Sequence, residues 1–257
     1  MARRTSPPFR ADHVGSLLRP PLLLQAREEF AAGRITAADL RAVEDEEIPA
    51  AIRMQEEVGL QSATDGEFRR ASWHMDFIYA LGGVSKAPGH LAVKFRNATG
   101  EIEFTPASIV VDGKLRIEDT IFGADFSFLK SHVTTAVPKL TIPSPNMVHY
   151  RGGPAMLDPA VYPDIEEFWA DLAAAYADEV QRLGALGCTY VQFDDTSLAY
   201  LNDPAQRAEI AGRGEDAEHL HLRYIKQIND AVKDKPPGLA ISSRQQRVPS
   251  STVYRPA

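Results

Sequence analysis

The chain holds 257 residues, 44% of them hydrophobic, and carries a formal net charge of −7. That apolar content suffices for a substantial core and excludes global disorder, while the acidic balance argues against a nucleic-acid surface. One cysteine, Cys188, leaves no intrachain disulfide and no multi-cysteine metal cage.

Met1-Ala2-Arg3-Arg4 is basic, but Thr5-Ser6-Pro7-Pro8 follows in place of an apolar run, so no secretory signal is read there. No apolar segment approaches the about 20 residues of a membrane helix. A soluble cytoplasmic protein of one large α/β domain or two small ones is expected. The first candidate strand end is Ala11-Asp12-His13-Val14-Gly15-Ser16. Beyond Arg19-Pro20-Pro21, residues 22–32 read as a helix stopped by Gly33. Thr36 and Asp39 form an approximate capping box. The helix they open places Leu40, Val43, Ile48, Ile52 and Val58 on one face and ends at Gly59. Its acidic run, Glu44, Asp45, Glu46 and Glu47, reads as a solvated face.

Ser62-Ala63-Thr64-Asp65-Gly66-Glu67 is a second strand end. Residues 91–117 change to short alternating segments with turns at Thr99-Gly100 and Asp112-Gly113, an antiparallel excursion inserted into a parallel framework. A short helix at 124–133 precedes the strand Val137-Pro138-Lys139-Leu140-Thr141-Ile142, which ends in Pro143-Ser144-Pro145-Asn146. Pro163-Asp164 opens a helix bearing Ile165, Phe168, Leu172, Tyr176, Val180 and Leu183, and Gly187 closes it.

Tyr190-Val191-Gln192-Phe193-Asp194-Asp195 then reads as a buried parallel strand whose carboxyl end opens into an active site. A helix at 216–232 and a strand at 239–241 follow, after which residues 242–257 show neither period and read as an irregular tail behind a domain of residues 1–241. Strands alternating with helices predict a parallel sheet or barrel. A closed eight-unit barrel takes about 250 residues, and only five or six units are counted, so the fold class is α/β, an incomplete (β/α)8 barrel.

Three strand ends that each deliver polar groups point to one shared pocket. Asp194 and Asp195 face opposite sides of a strand, so one can enter the pocket while the other accepts backbone hydrogen bonds or caps the next helix. Asp65 or Glu67 can bind a cationic amine, act in proton transfer or hold an arginine such as Arg69 or Arg70. Gly15-Ser16 lets backbone amides approach a carboxylate. His13, His74 and His149 read first as hydrogen-bonded structural residues, Trp73, Phe77 and Tyr150 as core, and Cys188 as a small buried hydrophobe.

Together, 10–20 (Arg-Ala-Asp-His-Val-Gly-Ser-Leu-Leu-Arg-Pro), 64–70 (Thr-Asp-Gly-Glu-Phe-Arg-Arg), Ile142-Pro143-Ser144-Pro145 and Val191-Gln192-Phe193-Asp194-Asp195 resemble the cobalamin-independent methionine synthase family. The match is to its catalytic carboxyl-terminal barrel and the short stand-alone relatives of that domain. The resemblance implies a TIM-type barrel that moves a methyl group from methyltetrahydrofolate to homocysteine. It further implies that Gly15 and Ser16, with the backbone at Val14, hold the amino-acid carboxylate. By the same resemblance, Glu67 and Asp194 would bind its ammonium group and carry the chemistry, and the strand end from Ile142 to Pro145 would lie near the folate side.

The same family binds zinc, which lowers the pKa of the substrate thiol, through a His-x-Cys strand, a later glutamate and a second cysteine. Gly238-Leu239-Ala240-Ile241-Ser242 stands where Gly-x-His-x-Cys is expected, and no cysteine follows. One explanation is a reading-frame slip, since the codons CGC-GGC-AAC-AAC for the family's Arg-Gly-Asn, read out of register, can give the Arg244-Gln245-Gln246 found here. Weak or no methyl transfer by this chain alone is expected, with possible self-association through exposed barrel edges. The alternatives are a related barrel acting on another thiol or a decarboxylation substrate, and an inactive truncated binding protein.

Overall fold

Helix α1 (Pro21–Ala31) starts with Pro21, whose missing N–H is no loss in a first turn. Helix α2 (Ala37–Glu57) starts at the capping box, with Thr36 and Asp39 each satisfying the other's backbone N–H. In this computed structural model residues 6–87, 93–97, 100–104, 108–150 and 152–245 are described. Two features of α2 differ from expectation. Val58 is 68% exposed, and Glu44 is buried at 5%. Glu44 is drawn inward because Arg69, itself buried, reaches it at 3.2 Å and Arg27 adds a second cation at 3.9 Å.

Strand β1 (Ser62–Ala63) and helix α3 (Met75–Ile78) lead to the antiparallel excursion. This begins earlier than the pattern indicated, with β2 (Gly82–Ala87), and continues through β3 (Val93–Asn97), β4 (Gly100–Phe104) and β5 (Ser108–Arg116). β2 pairs with β5 and β3 with β4. Thr99 lies outside the described residues. Asp112-Gly113 is no turn but the middle of β5, where Gly113 lies against Gly83 so closely that a Cβ on Gly83 would meet the Gly113 carbonyl at 2.5 Å.

Helix α4 (Gly123–His132) is followed by β6 (Val137–Pro138) and β7 (Leu140–Pro143), one strand kinked at Lys139. β6 pairs in parallel with β1, and β7 with β8 (Tyr190–Asp195). Between them lie the short α5 (Asn146–Tyr150) and the long α6 (Ile165–Ala185), whose Asp164 cap accepts from the Glu166 N–H. Helices α7 (Ser197–Tyr200), α8 (Pro204–Gly212) and α9 (Leu220–Val232) precede β9 (Ala240–Gln245). β9 pairs in parallel with β8 over six residues, so the strand at 239–241 runs on through Ser242, Ser243 and Arg244, which the sequence reading assigned to the tail. Residues 246–257 lie outside the described residues.

The four strands β1, β6–β7, β8 and β9 therefore form one parallel arc with every carboxyl end on the same rim. The arc does not close among the described residues. Ala11 to Ser16, expected to end a strand, runs beside β1 without ladder pairing. Side chains hold it instead, and the Leu17 N–H reaches the Gly66 carbonyl.

β8 alternates as a buried strand must. Phe193 packs edge-on against Tyr176 of α6, while Tyr190, Gln192 and Asp194 take the concave face. The main core lies between β5, β7, β8 and α6, with a smaller cluster of Leu23, Ile48, Ile52, Ala63, Phe68 and Leu129 under α1 and α2. Among the described residues no helix is long and apolar enough to cross a membrane.

Candidate functional site

The turn after β1 carries Glu67 in the left-handed region (φ +58°), a conformation costly for a residue with a side chain. Three contacts hold it there. Asp65 Oδ1 accepts from the Glu67 N–H at 2.9 Å, and Arg19 Nη2 donates to the carbonyls of Glu67 and Arg70 at 2.9 and 2.8 Å. Asp65 is thus a turn-former, which leaves the Glu67 carboxylate to face Thr141 and Gly15. Arg19 escaped sequence reading; Arg19-Pro20-Pro21 reads only as a break.

Glu67 is 2% exposed. Its Oε1 accepts from Thr141 Oγ1 on β7 at 2.7 Å, and the Arg70 guanidinium lies at 3.6 Å. Arg70 also donates to Thr141 Oγ1 and covers the Phe122 ring at 4.1 Å, so its charge is confined to this corner. Gly15 faces the same corner. Its φ of +137° suits glycine, and a Cβ there would stand 2.5 Å from Thr141 Cγ2 and 3.1 Å from Glu67 Oε1. The Gly15 carbonyl accepts from Thr64 Oγ1 at 2.6 Å, and its N–H donates to His13 Nδ1 at 3.1 Å. His13 Nε2 meets Gln55 Oε1 at 2.6 Å, so His13 is a structural member of the turn. Ser16, beside it, is exposed.

From the other side comes β8. Gln192 Nε2 donates to the Val14 carbonyl and to Asp194 Oδ1, both at 2.6 Å. Val14, Gly15, Glu67 and Asp194 are therefore brought to one place. Burial, with the nearby Glu67 charge adding to it, pushes the Asp194 carboxyl up to about 7 against the opposing pull of Gln192, Arg70 and Lys139. Asp195 faces away and is wholly buried. It accepts from Ser144 Oγ, Asn146 Nδ2, Ser197 Oγ and the Leu198 N–H, tying the loops after β7 and β8 together. The two adjacent carboxylates divide their work as the strand geometry required.

The other candidates lie elsewhere. His149 is buried beside Tyr224 and Glu215, and burial, reinforced by Arg213, holds its pKa down to about 3. Phe77 is core, Tyr150 stacks on Tyr200, and Trp73 stacks on His74.

Zinc finds no donor set among the described residues, where no group of three or more His, Cys, Asp or Glu could hold a metal. Ala240 and Ser242 occupy β9. The Cys188 thiol, pushed up to about 11 by burial, donates to the Tyr190 carbonyl at the opposite end of β8 from Asp194.

Residues 11–211 match the family model described as the cobalamin-independent synthase catalytic domain. The chain is 41% identical to the uncharacterized protein YxjH of Bacillus subtilis (strain 168) over 235 residues, 91% of this chain and 60% of that protein. It is 39% identical to YxjG of the same organism over 241 residues, 93% of this chain and 62% of that protein. It thus spans about three fifths of the length of these curated relatives. A crystal structure from Listeria monocytogenes, assigned as a vitamin-B12 independent methionine synthase, superposes with a TM-score of 0.77 at 39% identity, covering 95% of this chain and 67% of that one. The parallel arc is thus part of a TIM-type barrel, and the chain belongs to the family of the cobalamin-independent synthase catalytic domain.

Proposed function

We propose that this chain, in the cytoplasm, forms the amino-acid-binding half of a methyltransferase site of the methionine synthase type, taking homocysteine as thiol substrate and methyltetrahydrofolate as methyl donor. The observation that carries the reading is the meeting of Glu67 and Asp194, which lie far apart in sequence, beside the Gly15 turn. Two carboxylates flanking a small-residue turn suit a zwitterion, with the ammonium between Glu67 and Asp194 and the carboxylate at the Gly15-Ser16 turn near the Val14 backbone. Glu67 is held by Thr141 and Asp194 by Gln192, so neither must be ordered on binding.

In the parent reaction zinc supplies the thiolate. No donor set for it is assembled among the described residues, so no transfer step is assigned to this chain, and binding without efficient turnover is the expected behaviour. Calorimetry with homocysteine and with its analogue lacking the amino group tests the reading. Homocysteine should bind at least about tenfold more tightly, and Glu67→Gln or Asp194→Asn should remove that preference. Equal affinity of the two compounds for the wild-type protein would refute it.

A further inference from the structure

Lys139, between β6 and β7, is a fully spent charge in the fold. Its side chain has 0% exposure, and its backbone N–H donates to the Ala63 carbonyl at 2.8 Å, which anchors its backbone to β1. The ammonium has three donors and three acceptors: Asp12 Oδ1 at 2.8 Å, Gln192 Oε1 at 3.3 Å and the His13 carbonyl. Asp12 is held in turn by Ser62 Oγ at 2.8 Å and by the Tyr190 hydroxyl.

An ammonium cannot face the NH2 end of an amide. Lys139 therefore dictates that Gln192 turns its Oε1 inward, which leaves Nε2 pointing at the Val14 carbonyl and Asp194 Oδ1. A flipped Gln192 would set its oxygen against both. We infer that Lys139 is a positioning residue that fixes the orientation of the Gln192 amide, and through it both the Asp194 carboxylate and the Val14–Gly15 turn, without touching the ligand itself. This rests on the amino-acid reading above for its functional consequence, though not for its structural content. The pin acts on both halves of the site: the Asp12 and His13 contacts hold the segment that presents Gly15, and the Gln192 contact sets the carboxylate opposite.

The test is the titration of Asp194, followed by carbon NMR on the full chain with labelled aspartate, in wild type, Lys139→Met and Gln192→Leu. The charged groups facing Asp194 besides Lys139 are Glu67 and Arg70, and both are unchanged in these variants. In Lys139→Met the midpoint should rise from about 7, partly through loss of the Lys139 charge itself and partly through release of Gln192, so the rise should be smaller when Gln192 is already Leu. A folded Lys139→Met protein that titrates as wild type overturns the inference. Where Lys139→Met does not fold, Lys139→Gln takes its place in the same comparison. A rise on losing Lys139 that shrinks when Gln192 is already Leu supports the relay, and a rise of the same size in both Gln192 backgrounds overturns it.

In calorimetry, the preference for homocysteine over its deamino analogue should fall about tenfold in each single variant and no further in the double variant, because both remove the same link. Additive losses would overturn the relay. A wild-type protein with no preference for the amine refutes the amino-acid reading instead, and the Asp194 titration still decides the role of Lys139.

Discussion

Asp194 is buried at a cost to the folded state, and the sign of that cost can be read directly. Its folded pKa, about 7, lies above the usual carboxylate value of 3.8, so the folded protein holds a proton that the unfolded chain releases. Stability is therefore greatest below about pH 4 as far as this group is concerned and declines as pH rises through 7. Affinity for an ammonium runs the other way, because only the ionised form attracts it. Asp194→Asn should raise the stability of the free protein at pH 8 by on the order of 2 kcal/mol while abolishing amine preference. Urea denaturation at pH 5 and pH 8 checks the first part, and a stabilisation equal at both pH values would contradict it. Gly15 makes a second residue-scale case. Gly15→Ala must adopt φ +137° and push its Cβ into Thr141 and Glu67, so a loss of about 2–4 kcal/mol is expected in the same measurement.

At the scale of elements, the rim is assembled by side chains that reach from one loop to the next. Asp195 joins the loops after β7 and β8, and Arg19 clamps the turn after β1. The end of α2 has a device of its own. Glu56 is partly shielded, which favours its neutral form, yet the N–H groups of Thr134, Thr135 and Ala136 and the Thr134 hydroxyl outweigh this and hold its pKa down to about 2. A depressed carboxylate contributes stability that is complete above its unfolded pKa and lost as pH falls from about 4.5 toward 2. Glu56→Gln should cost about 1 kcal/mol at pH 7, after allowing for solvent screening, and nothing at pH 2. Thermal unfolding at the two pH values measures this. Capping boxes and helix faces of this kind were readable in advance, as Thr36–Asp39 and the apolar face of α6 show. The burial of Glu44 was not, because its arginine partners lie at positions 27 and 69.

For the molecule as a whole, the parallel arc leaves the outer edge of β9 without a strand partner among the described residues. Unpaired edge N–H and C=O groups recruit other strands. Concentration-dependent association is the expected result in size-exclusion chromatography with light scattering, and a monomer at every concentration would count against it. Purified chain supplied with homocysteine, methyltetrahydrofolate and zinc should turn over far below ordinary enzyme rates, the median of which is about 10 per second. Turnover at such a rate would show that a metal site forms in a way the donors of this chain do not suggest.

Period and composition marked the long helices α1, α2 and α6 and the strands β7 and β8, though not the unpaired run from Ala11 to Ser16 or the full length of β9, because burial on a strand or a helix face imposes its own spacing on apolar residues. They also marked the strand end Asp194-Asp195, since an apolar run broken by two carboxylates has few other uses. The Ser144 and Asn146 partners of Asp195, the Thr141 partner of Glu67, and the tasks of Arg19, Lys139 and Gln192 came only with the packed chain. Each of those depends on a hydrogen-bond partner tens of residues or more away, and local sequence carries no record of which distant backbone or side chain will arrive within 3 Å.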